Sequence, residues 1–151
     1  MKKDLMLIEH ALWIIVDPWS EQPNDTNGKY NSTYMTIVND YYCKKIDNYL
    51  QEWKVKNVVV ALENKFEVNS RLINYQRLNY EDVKIHAEKF RDLVYVGFHH
   101  GNCITYNKII GTEVMSKKWN CYVQHGLVAL IGEDKNWIKQ DEVASESAVL
   151  I

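Results

Sequence analysis

Three short runs in this chain, residues 12–16, 58–62 and 93–96, are apolar at every position. A strand with one wet face would alternate; these do not. Each is too short for a buried helix, and the first is rich in β-branched residues and stops at Asp17-Pro18. Such runs suit strands buried on both faces. Segments with helical spacing lie between them. Strands alternating with helices predict an α/β fold, a three-layer α/β/α sandwich around a mainly parallel sheet. Sheets of that kind hold their sites outside the carboxyl ends of the strands, so the residues just past each run are where chemistry is expected.

The connecting segments fill in the pattern. Residues 20–30 are dense in Asn, Asp, Pro and Gly and read as a loop. Ser32 or Asn31 can cap a helix reaching about Lys54, whose Val38, Tyr42, Ile46, Tyr49 and Trp53 recur on one face. Cys43, at the edge of that face, is read as core. A short strand is expected over residues 71–75, a short helix over 80–90 and a longer helix over 103–117. Trp119, Cys121 and Val123 alternate with polar neighbours, which favours a strand and makes Cys121 structural. Residues 127–131 form another apolar run. The tail is polar up to residues 148–151, which are expected to dock on the body or on a neighbour. No internal repeat breaks the chain, and residues 1–151 are read as a single domain.

Composition narrows the function. Of 151 residues, 46% are hydrophobic and 25% charged, as in an ordinary globular protein. The net charge of −2, with no basic run, gives no electrostatic case for nucleic acid or an anionic membrane. The N-terminus mixes lysines with Asp4, Glu9 and His10 and resembles neither a signal peptide nor a span. Three scattered cysteines without a CxxC pair suit a reducing compartment, so a cytoplasmic location is expected.

The run from Asp92 to Gly111 concentrates the chemistry. It reads as a strand, a turn opening at Gly97, and a helix starting at or just after Cys103. A helix start exposes unpaired N–H groups and a positive dipole end, which favour thiolate over thiol. Cys103 is therefore expected to be the most reactive cysteine, with a pKa below the ordinary value of about 8.5. The plainer alternative is a buried packing cysteine. Asp17 is either an orienting carboxylate beside Cys103 or simply an Asp-Pro turn residue. His99 and His100 are adjacent, a poor arrangement for one ion, and no HxH or HExxH pattern accompanies them, so no metal is expected. A nucleotide-binding or flavodoxin-like module would need a phosphate loop that the chain lacks.

Two segments resemble signatures of the isochorismatase-like superfamily, the cysteine hydrolases that include nicotinamidases. ALWIIVDPW is similar to the family's opening strand, which ends in an acidic residue. VYVGFHHGNCI is similar to its second signature, a strand, a glycine, then a cysteine six residues later. The outline extends over roughly residues 11–131. The resemblance implies an isochorismatase-like fold in which Cys103 is the nucleophile and Asp17 takes its proton. The backbone N–H groups of Asn102 and Cys103, with His99 as a further candidate, would face the oxyanion, and a cis bond would sit at 98–99. His99, His100, Asn102 and Trp19 would contact substrate.

In that family a lysine on the strand before the cysteine strand completes the triad. No lysine falls there in this chain. Arg77 is the favoured substitute, with Lys65 and Arg71 as alternatives. The Asp-x-His metal site of nicotinamidases is also missing. The reading implied is a hydrolase of C–N bonds other than peptide bonds, acting on a small amide or related carbonyl compound. It needs no cofactor, and a homo-oligomer is expected. The rival is a catalytically decayed binding or assembly protein on the same fold.

Overall fold

The computed structural model describes residues 2–20, 32–100, 103–131, 137–138 and 149–150. In chain order these form α1 (Lys2–His10), β1 (Leu12–Val16), α2 (Ser32–Glu52), β2 (Val58–Ala61), a single 3-10 turn (Ser70–Leu72), β3 (Gln76–Leu78) and α3 (Tyr80–Ala87). Then come β4 (Asp92–His100), α4 (Cys103–Tyr106), α5 (Thr112–Met115), β5 (Asn120–Ile131), β6 (Trp137–Ile138) and β7 (Val149–Leu150). The sheet runs β3-β2-β1-β4-β5-β6, with β7 also paired to β5. Strands β1 to β5 are mutually parallel, while β6 and β7 lie antiparallel to β5.

The uniform apolarity of β1 has a direct structural cause. Side chains alternate across a strand, and both sides of this sheet are covered. Trp13 and Ile15 join Val60, Val94 and Val96 in a core with Leu7 and Ile8 of α1 and Tyr42, Ile46 and Leu50 of α2. Leu12, Ile14 and Val16 join Val59, Ala61 and Tyr95 in a second core with Val83 and Ala87 of α3, Ile104 of α4 and Met115 of α5. All five β1 residues are buried. Each fully buried aliphatic side chain contributes on the order of 2 kcal/mol of transfer free energy.

Several elements differ from the sequence expectation. Residues 70–72 form the 3-10 turn, capped by the Asn69 side chain accepting from the Arg71 backbone, and the edge strand follows at Gln76–Leu78. The helix expected over residues 103–117 is two short pieces. The Asn107 side chain accepts from the backbone N–H groups of Ile109 and Ile110, at 2.9 and 3.0 Å, which turns the chain out of the helix. Residues 120–131 make one continuous strand rather than two. The apolar end of the tail docks on the body: Val149 and Leu150 pair with Val123 and Tyr122. Among the described residues no helix is long and apolar enough to cross a membrane.

Candidate active site

The parallel register brings the carboxyl ends of β1, β2 and β4 together, with Val16 opposite both Ala61 and Gly97. Immediately beyond, Asp17 leaves the sheet with φ 53°, in the left-handed region. Aspartate tolerates this conformation better than most residues, yet a following proline disfavours helical conformations. Strain of this kind typically costs about 1–3 kcal/mol and gathers at functional sites. The turn is held by backbone bonds from Asp17 N–H to the Ala61 carbonyl and from Trp19 N–H to the Asp17 carbonyl, both 2.9 Å.

Gly97 makes the neighbouring strand fit. Its φ is 104°, and a Cβ there would lie 2.5 Å from the Val16 carbonyl oxygen. Only glycine lets β4 pass so close to the end of β1 while turning toward Cys103. The spacing of glycine and cysteine is thus tied to a close approach of two strands.

Asp17 is 2% exposed. Its carboxylate accepts from the Tyr80 hydroxyl at Oδ1, and the Cys103 thiol lies close enough to act on it. Burial pushes its pKa up to about 6; the bonds from Tyr80 and Cys103 oppose the rise, and the Glu63 charge adds to it. Cys103 is half-buried, whereas Cys43 and Cys121 are buried. The expected lowering of the Cys103 pKa is overturned. Burial first, then the Asp17 charge and hydrogen bond, push the thiol up to about 12. The helix behind it has four residues, Cys103–Tyr106, so its dipole is small against a carboxylate in contact.

Tyr80 is the member that sequence reading missed. It opens α3 directly after β3, and the Asn79 side chain caps that helix by accepting from Asp82 N–H at 2.8 Å. Asn followed by Glu81 and Asp82 is a helix-start signature that could have placed Tyr80 at a strand's carboxyl end. Burial, then Asp17, raise the Tyr80 pKa far above the ordinary phenolic value, so the hydroxyl is a proton donor. Tyr80 also lines a cleft of about 500 Å³, together with Glu63, Asn79, Glu81, Asn107 and Lys108.

The three candidate cations lie elsewhere in the bonding pattern. The Arg77 guanidinium donates to the backbone carbonyls of Glu63 and Phe66, bracing the turn after β2. Lys65 pairs with Glu63 at 3.8 Å and lies over the Phe66 ring. Arg71 pairs with Asp40 of α2 at 3.0 Å. None of the three is among the groups acting on Asp17 or Cys103. Trp19 is buried, edge-on to Phe66 in the core on the α2 side, and does not line the cleft. Asn102 lies outside the described residues, and of His99 and His100 only the strand backbone is described. Among the described residues no group of three or more His, Cys, Asp or Glu side chains could hold a metal ion.

No protein-family model matches this chain, and no curated protein or solved structure matches it either.

Proposed function

We propose that this protein is an isochorismatase-like cysteine hydrolase acting on a small amide or related carbonyl compound, with Cys103 as nucleophile and Asp17 as general base. The observation that carries this reading is the placement of the Cys103 thiol close enough to the buried Asp17 carboxylate for each to act on the other, beyond the ends of adjacent parallel strands. A carboxyl raised to about 6 is a better proton acceptor than an ordinary one and still ionised at neutral pH.

In the resting site a single proton and a single negative charge are shared, with the proton on sulfur. Sγ attacks the substrate carbonyl carbon while its proton passes to Asp17, so the pair never carries two charges. The Asp17 proton then goes to the leaving nitrogen as the C–N bond breaks, leaving an acyl thioester and a free amine. Water attacks the thioester, Asp17 takes its proton, and that proton returns to sulfur as the acid departs. The cleft beside Tyr80 is the proposed substrate entrance. A cytoplasmic location and a homo-oligomer belong to the same proposal.

The test is intact-mass spectrometry with a panel of small amides and activated esters. A Cys103 acyl adduct is expected in the parent protein, weakened in Asp17→Asn and absent in Cys103→Ala. One observation favours the rival, a binding protein without turnover: among the described residues no cation acts on the pair. If no compound acylates Cys103 while some bind the cleft, that rival stands.

A further inference from the structure

We propose that Tyr80 is the positioning residue of this site, a neutral donor that fixes the Asp17 carboxylate where a cation would otherwise stand. The inference rests on the reading of Asp17 as a base, and it adds the group that keeps that base usable. Three observations carry it. The Tyr80 hydroxyl donates to Asp17 Oδ1. Arg77, Lys65 and Arg71 are bonded elsewhere, to the carbonyls of Glu63 and Phe66, to Glu63 and to Asp40. Tyr80 is anchored at the first position of a side-chain-capped helix, directly after a strand of the sheet, and its side chain packs against the core on that side.

The physical need is plain. Burial disfavours the charged carboxylate, and Glu63 at the end of β2 adds like-charge repulsion. Without a compensating donor a larger share of Asp17 would be protonated at neutral pH, and less of it would be free to accept a proton from Cys103. A hydrogen bond to the ionised form opposes that. A cation would also stabilise a thiolate; a phenol does so far less. A site held by Tyr80 therefore keeps its sulfur protonated until a substrate arrives, and the transfer to Asp17 occurs with attack rather than before it. Because Tyr80 also lines the cleft, a substrate entering there meets the same residue that holds the base.

Among the described residues the groups that bear on Asp17 are Tyr80 from α3, Cys103 from α4 and Glu63 beyond β2. The experiment follows the Asp17 carboxyl directly, by carbon-13 NMR titration of protein labelled at aspartate side chains, with Asp17→Asn identifying the signal. Tyr80→Phe removes the donor and is expected to move the Asp17 inflection upward by about one pH unit. Replacing Tyr80 with 3,5-difluorotyrosine keeps the shape, strengthens the donor and is expected to move it downward. The pH dependence of Cys103 alkylation by iodoacetamide should shift in the same two directions. Inflections that match the parent in either variant overturn the proposal, and should Tyr80→Phe fail to fold, the difluorotyrosine result decides alone. No substrate enters this experiment, so a failure to hydrolyse amides leaves its outcome unaffected.

Discussion

Two aspartates, Asp17 beyond β1 and Asp40 on α2, each have two hydrogen-bonding side chains bearing on them, yet their acidities move in opposite directions. Asp40 is exposed and faces the Arg71 guanidinium, with Asn69 as a second donor, and its carboxyl is held below the ordinary range. Asp17 is buried between a phenol and a thiol, and its carboxyl is raised to about 6. What differs is burial and the charge of the donor. A cation in water makes a carboxylate a quiet structural anchor; neutral donors in a dry place make it a base. The same contrast explains Cys103, whose neighbour is an anion rather than a cation.

The largest effect should come from the strand that lets the buried aspartate exist. Gly97→Ala puts a Cβ against the Val16 carbonyl at a φ that alanine rarely adopts. It is expected to cost about 3 kcal/mol or more, read as a fall in the urea midpoint, with no counterpart near Asp40. A smaller and more specific effect should follow from Asp17→Asn. A carboxyl raised in the folded state binds its proton more tightly there. Its contribution to stability is therefore full below the ordinary 3.8 and is lost as pH rises through about 6. That interval corresponds to about 3 kcal/mol. The asparagine variant should lose this slope between pH 4 and pH 6 in urea titrations and gain on the parent protein at neutral pH. A variant whose slope matches the parent would show that Asp17 is not buried as described.

The smallest effect belongs to the exposed pair. Arg71→Met should leave Cys103 alkylation unchanged at every pH, remove a small stabilisation present above the ordinary carboxylate range and so flatten the fall in stability toward acid. Asp40, lowered in the folded state, contributes above its ordinary range and loses that as pH falls, the reverse of Asp17. A change in Cys103 reactivity on losing Arg71 would break the comparison, since it would tie the surface cation to the buried pair.

How far the chain announced this arrangement depends on the range of the signals. The central strands were legible because burial on both faces leaves no polar position, and Asp17 and Cys103 were legible because they follow such strands. The direction of the Cys103 shift was not, since it depends on a partner distant in sequence. Arg77 drew attention by its charge, but its guanidinium serves two backbone carbonyls in a turn. Tyr80 carries no charge to set it apart from the chain's other tyrosines. Residues 71–75 suited a strand by composition, and the Asn69-capped turn over Ser70–Leu72 displaced it to Gln76–Leu78. β6 and β7, two residues each, are too short for any periodicity to register.

The strand β5 has one further consequence. It is twelve residues long, and a bare outer edge of that length would be an open template for pairing with another chain. Here β7 takes up Tyr122 and Val123, and β6 takes up Leu130 and Ile131, so that edge is blocked near both ends. The opposite edge is β3, three residues long and flanked by a helix start. Among the described residues neither side of the sheet offers a long ladder to extend. At the borders so described, fibre-like growth by strand addition is disfavoured.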